Sequence, residues 1–456
     1  MSNRRTFLHR AFASGAALFA ARGLSAQTMQ MNMPMPKPTP KPAEPDAAAP
    51  HTPSTRPAKQ TASPVPVVTT DVGDLAYTLD GSTKVFHLVA EVLKQKIHPD
   101  KTIDAWGFNG SAPGPTIQVN QGDHVRVIFD NHLPEPSSIH WHGFEDAVGY
   151  DGMPGISQEP VKPGSRFVYE FDIHQAGTYF YHSHMAMQEM TGMLGGFIMH
   201  PRTPYHPYCD KDFLLHLQEY QVLPNNTVPN TMNMEYNWLL LNGKAGPAAT
   251  PLIIRQGDRV RIRFVNLGMD HHPMHLHGYT FQVTGTEGGR IPETAWWPGN
   301  TVLVGVAQAR DVEFIADRPG DWMLHCHLPH HMMNQMSSNV GGMNRMGNTS
   351  DTETINGPLS QKAMPGMAAP GDIADNADAV PGFPQDAYME GPAMAMDSMV
   401  EKPENYLLRP GWSGFMMGMM NFVRVLPPEK YDQVIARMKQ AQRPNDPYGS
   451  LLERVS

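Results

Sequence analysis

The chain has 456 residues, with 44 acidic against 35 basic side chains for a net charge of −9, and it carries 2 Cys, 22 His, 32 Met and 43 Pro. Two thiols exclude a disulfide-rich scaffold and any four-thiolate zinc or iron–sulfur site, so metal chemistry has to run mainly on histidine and methionine. The acidic balance and the lack of a long basic tract argue against a nucleic-acid partner, and the length allows roughly two to four domains.

Residues 1–26 read as an export leader. Arg4 and Arg5 precede an apolar stretch from Ala11 to Ala21, and Leu24-Ser25-Ala26 offers small residues for cleavage. That order is the one a twin-arginine signal requires, and the stretch is too short to span a bilayer. Residues 27–67 read as a tether: Met29, Met31, Met33 and Met35 are followed by eleven prolines between Pro34 and Pro66. Such a composition buries too little apolar surface to fold. No later segment is apolar and long enough for a membrane span.

The middle of the chain is duplicated. Gln121-Gly122-Asp123 with the run Val125 to Asn131 returns 135 residues later as Gln256-Gly257-Asp258 with Val260 to Asn266. At the same offset His140-Trp141-His142-Gly143 returns as His275-Leu276-His277-Gly278. At an offset of 143, the segment Gly177 to His184 returns as Gly320 to His327. Within the repeats Val260, Ile262 and Phe264 alternate with Arg259, Arg261 and Arg263, a period of two between turn residues, which predicts strands. Short strands with frequent turns predict β-sandwiches, one over residues 68–203 and one over 211–340. Only 87 residues separate His184 from His272, too few for a third. A Met-rich tail, 341–456, follows. Its Pro427 to Met438 segment reads as a short helix docked on the body, while its Met-Met and Met-x-Met pairs stand among Gly, Pro and Asp that build no core.

Residues two apart on a strand share a face, so each His-x-His pair presents two imidazoles side by side, as a copper or zinc ion requires. A lone pair of this kind is more often a surface feature. Here there are four, His140/His142, His182/His184, His275/His277 and His325/His327, at equivalent places in the two repeats. Cys326 lies between the last two histidines and faces away from whatever they bind, so one segment touches two sites. Cys326 with His272, His331 and Met336 makes the two-His, one-Cys, weak-axial-Met set of a blue-copper centre.

These segments resemble the four copper-binding signatures of the multicopper oxidases, the laccase and copper-resistance oxidases built of cupredoxin domains. The likeness covers roughly residues 100–336. It implies an all-β fold of two tandem Greek-key cupredoxin sandwiches flanked by the tether and a partly helical tail. By the resemblance, His140 and His275 would hold a type 2 copper; His142, His182, His184, His277, His325 and His327 a type 3 pair; and His272, Cys326, His331 and Met336 a type 1 copper. The implied activity is four one-electron oxidations of Cu(I) or a phenol coupled to reduction of O2 to water, with an electron entering at Cys326 and passing through His325 and His327. Asp151 resembles the family's carboxylate near the type 2 position, whereas Met332 stands where some laccases place a Glu. Ser183 occupies the first repeat's counterpart of Cys326, so type 1 copper is expected in the second domain only. With no middle domain, the chain resembles two-domain oxidases that assemble as homotrimers with clusters between subunits. A periplasmic or otherwise extracytoplasmic location follows from the leader. A non-catalytic copper sink using the methionines, and a copper nitrite reductase, are the alternative expectations.

Overall fold

The computed structural model describes residues 64–145, 148–222, 226–231, 234, 236–332, 395–441 and 448. The leader, the tether up to residue 63, Met336 and the tail methionines Met364, Met367, Met389 and Met394 lie outside the described residues.

Twenty-two strands follow in chain order among the described residues. The first ten are β1 (Val67–Thr69), β2 (Tyr77–Asp80), β3 (Thr83–His98), β4 (Lys101–Phe108), β5 (Gly114–Asn120), β6 (His124–Asn131), β7 (Ile139–His142), β8 (Arg166–Asp172), β9 (Gly177–Ser183) and β10 (Leu194–His200). The next six are β11 (Lys211–Tyr220), β12 (Trp238–Leu241), β13 (Leu252–Arg255), β14 (Arg259–Asn266), β15 (His272–Leu276) and β16 (Phe281–Thr286). The last six are β17 (Gly289–Arg290), β18 (Trp297–Gly299), β19 (Thr301–Val304), β20 (Gln308–Ile315), β21 (Gly320–Cys326) and β22 (Met420–Leu426). Two helices, α1 (Ala186–Met190) and α2 (Pro428–Gln440), complete the elements that bear on the site.

The strands make two tandem sandwiches. The first packs β2-β3-β6-β8, with β4 beside β3, on β5-β10-β9-β7. The second packs β1-β11-β14-β20-β16-β17, with β12 and β18 attached, on β13-β22-β21-β15-β19. Equivalent strands of the repeats pair alike: β3 with β6 and β11 with β14 are parallel, and β5 with β10 and β13 with β22 are parallel. Parallel neighbours cannot be joined by a hairpin, so each such chain crosses between sheets. Each sandwich has its own core, Phe86, Val127, Trp141 and Tyr181 in the first and Ile262, Phe264, Leu276 and Leu324 in the second.

The tail departs from the sequence reading. Strand β22 lies between β13 and β21, inside the second sandwich rather than beyond it. Met416 and Met419 are 2% and 0% exposed, and Met419 belongs to the second core with Val423 and Val425. Methionine fills irregular core space, so this part of the tail builds core after all. Helix α2 then buries Tyr431, Val434, Ile435 and Met438, spaced at 3 and 4, against the same core. Arg261 and Arg263 are buried in a network with Asp212, Glu313 and Asp311 that reaches Thr178 of the first sandwich. The first repeat has the same pair, Arg126 with Glu170, left at 28% and 30% side-chain exposure; its counterpart, Arg261 with Glu313, is at 7% and 0%, with Arg261 against the Tyr205 ring.

Candidate metal centres

One donor set closes inside the second sandwich. His272 opens β15 and Cys326 ends β21, paired antiparallel so that Met274 faces Cys326. His331 follows on a single 3-10 turn, Pro329–Met332. All three side chains are buried, with the two Nδ1 atoms 3.1 Å apart and Sγ 3.8 Å from His272 and 3.4 Å from His331. Two imidazole nitrogens and a thiolate hold a first-row divalent ion at about 2.0–2.3 Å, and donors at these separations can be bridged by one such ion. The tail strand clasps this centre: the Cys326 amide donates to Met419 O at 3.1 Å, and the Met419 amide donates to His331 O at 2.7 Å. Met336, the expected axial ligand, lies outside the described residues.

The protonation states fit that use. Burial pushes the Cys326 thiol up to about 12, against a backbone hydrogen bond from Leu328. It therefore stays a thiol until a cation makes the thiolate worthwhile. Burial, then the charge of His272, pushes His331 down to about 4, leaving its lone pair free at neutral pH.

The eight paired histidines form two quartets. In the first, His140 sits among His142, His182 and His184, with ring centroids 5.4, 5.3 and 5.3 Å away. In the second, His275 sits among His277, His325 and His327 at 4.8, 5.5 and 5.5 Å. The cross-strand register produces both, since His140 faces His182 and His275 faces His325. Backbone carbonyls fix the rings: His140 Nδ1 donates to Asp151 O and His275 Nδ1 to Asn300 O, both at 2.7 Å. His182 and His325 give Nδ1–H to the carbonyls of Ser183 and Cys326. Each ring so held turns Nε2 toward its quartet, and His277 Nε2 comes within 3.0 Å of His325 Nε2. Among the described residues no ring contact joins one quartet to the other, and His277 and His327 are exposed. Burial, then the neighbouring histidines, pushes His142 down to about 4.

Asp151 lies beside the first quartet, its Oδ1 3.4 Å from His140 Nδ1 and its side chain 44% exposed. Three carboxylates that spacing did not reveal stand next to ligand rings. Glu219 Oε2 is 3.1 Å from His272 Nε2, and its other oxygen accepts the amides of Met269 and Asp270. Asp270 Oδ2 is 3.4 Å from His331 Nε2 at the more open edge, with 39% side-chain exposure. Glu189 Oε2 is 3.2 Å from His182 Nδ1. Carboxylates on the outer nitrogens of ligand imidazoles orient the rings and raise their donor strength.

Comparison with known proteins agrees with this arrangement. Family profiles described as multicopper oxidase match residues 91–204 and 218–343, more than half of the chain. Laccase-2 of Botryotinia fuckeliana is 30% identical over 264 residues, 53% of this chain and 44% of that protein. Copper resistance protein A of Escherichia coli is 38% identical over 113 residues, 25% of this chain and 19% of that one. The crystal structure of the blue copper oxidase from Nitrosomonas europaea superposes with a TM-score of 0.51 at 26% identity, covering 60% of this chain and 93% of that one. The chain spans less than half the length of the first curated relatives it matches. Both sandwiches are thus cupredoxin-like, both carry a profile match, and the donor sets fall inside the matched segments, so the chain belongs to the multicopper oxidase family.

Proposed function

We propose that the protein is a copper-dependent oxidase that couples four one-electron oxidations of Cu(I) or a phenolic donor to the reduction of O2 to two waters. Bound copper supplies the one-electron chemistry. The observation that carries the reading is the convergence of His272, Cys326 and His331 on one buried point while the neighbours of Cys326, His325 and His327, belong to a histidine quartet. Covalent bonds of one β-strand end therefore connect the two ligand sets.

His272, Cys326 and His331, with Met336, would hold the type 1 ion. His140 and His275 would hold type 2, and His142, His182, His184, His277, His325 and His327 type 3. A three-metal site needs both quartets, and among the described residues no ring contact joins them within one chain, which supports assembly of the first quartet of one subunit against the second of its neighbour. A cyclic homotrimer closes such heterologous contacts. Asp151 holds His140 through its carbonyl and keeps an open carboxylate, which makes it the proposed proton source on that side. At the other end, Glu219 and Asp270 place negative charge beside His272 and His331, which favours a cationic donor such as Cu(I). The burial of Met416 and Met419 in the core takes them out of any copper-sink role. The twin-arginine leader supports export to the periplasm, and among the described residues no helix is long and apolar enough to cross a membrane.

Replacing Cys326 tests the reading. Cys326→Ser is expected to lose the blue absorption, one copper per chain and donor oxidation, while the quartet copper stays bound. Undiminished turnover in that variant would contradict the assigned point of electron entry.

A further inference from the structure

The first sandwich keeps the scaffold of the Cys326 centre with other residues in it. At the repeat offsets, Ser137 stands for His272, Ser183 for Cys326 and Gln188 for His331. The backbone matches as well: Ile139 faces Ser183 as Met274 faces Cys326, and α1 begins at the counterpart of Pro329. All three residues are buried, and they bond to one another. Ser137 Oγ is 3.4 Å from Ser183 Oγ, Ser183 Oγ donates to Gln188 Oε1 at 2.8 Å, and Gln188 Nε2 donates to Pro136 O at 2.8 Å.

This hydrogen-bonded cluster has a mechanical consequence. Helix α1 has five residues, no side-chain cap and a single buried side chain, Gln188. A helix this short does not persist unaided, so the Gln188 bonds anchor it. The next residue, Glu189, thereby points its carboxylate at His182 Nδ1, 3.2 Å away, while Ser183 O accepts the ring proton at 2.9 Å. The second repeat has the same carbonyl bond, from His325 to Cys326 O at 2.8 Å, but Met332 stands where Glu189 would be.

We infer that Gln188 and Glu189 are positioning residues for the metal ligand His182: Gln188 braces α1, and Glu189 supplies the outer negative charge that makes Nε2 of His182 the stronger donor. The inference rests on the reading that the quartets hold copper. Outer-sphere partners of this kind typically change metal affinity 10–100-fold.

The test is copper retention by the full-length, copper-loaded protein under graded EDTA, with the blue absorption of the Cys326 centre followed in the same samples. Glu189→Gln and Gln188→Leu are each expected to release quartet copper at roughly 10–100-fold lower EDTA than wild type, with the blue band unchanged. Wild-type retention in Glu189→Gln would overturn the role of the carboxylate. Wild-type retention in Gln188→Leu alone would overturn the brace. Loss of the blue band together with quartet copper would mean general collapse and would overturn both. A wild-type protein that takes up no quartet copper would instead refute the oxidase reading itself, before any variant is compared.

Discussion

A histidine in this chain is a candidate ligand or a structural ring according to what its two nitrogens meet. His140, His275, His182 and His325 give Nδ1 to a carbonyl and turn Nε2 to other imidazoles. His216 gives Nδ1 to Asn242 Oδ1 at 3.1 Å, while its buried Nε2 meets no partner. Burial pushes His216 down to about 4, partly opposed by Asn242. An unfolded imidazole titrates near 6.5. Between those values only the unfolded chain binds the proton, so stability is complete above about pH 6.5 and falls as pH drops toward 4, by about 3 kcal/mol for this ring. His216→Gln should therefore show a flatter loss of stability over that window in urea titrations, and a slope equal to wild type would contradict the assignment. The paired histidines stand out in the sequence because the same spacing occurs twice, and Cys326 because it lies between the two histidines of the last pair. Glu189, Glu219 and Asp270 do not, because their contacts depend on folding; Glu219 reaches His272 across 53 residues.

At the scale of elements, alternation between Val260, Ile262 and Phe264 and their arginine neighbours betrays β14, and the duplication carries that reading to the other sandwich. Strand β22 escapes the same reasoning. It is central, with Asn421, Val423, Arg424, Val425 and Leu426 all buried, so it lacks the one-sided alternation of a half-exposed strand. Its leading methionines resemble a flexible low-complexity run, yet Met419 packs in the core and its backbone ties Cys326 to His331. Met419→Ala removes a fully buried side chain and is expected to cost about 2–5 kcal/mol. A denaturant titration showing less than about 1 kcal/mol would place Met419 outside the core. The strand's position also means that removing residues 395–456 should dismantle the second sandwich, rather than selectively depress the use of one donor.

For the whole molecule, the repeats are alike in fold and unlike in use. One keeps a buried cysteine–histidine donor set and the other a hydrogen-bonded Ser137–Ser183–Gln188 cluster, while both keep a quartet. The network of Arg261, Arg263, Asp212 and Asp311 with Thr178 joins the sandwiches through buried charge, and removing one partner of such a set costs about 3–5 kcal/mol. Neither quartet alone makes a three-metal site, so chains should complement one another. A His142→Ala/His184→Ala chain and a His277→Ala/His327→Ala chain should each be inactive. Assembled together at random, they should regain about a quarter of wild-type activity, the share of head-to-tail contacts in a closed ring where two intact quartets meet. No recovery in the co-assembled protein would count against quartets shared between subunits.

The most direct measurement is oxygen uptake in a closed cell with a counted one-electron donor. Four donor equivalents consumed per O2, with no peroxide accumulating, is the predicted result. Two equivalents per O2 with stoichiometric peroxide, or no uptake by the copper-loaded protein, would contradict the proposed reduction of oxygen to water.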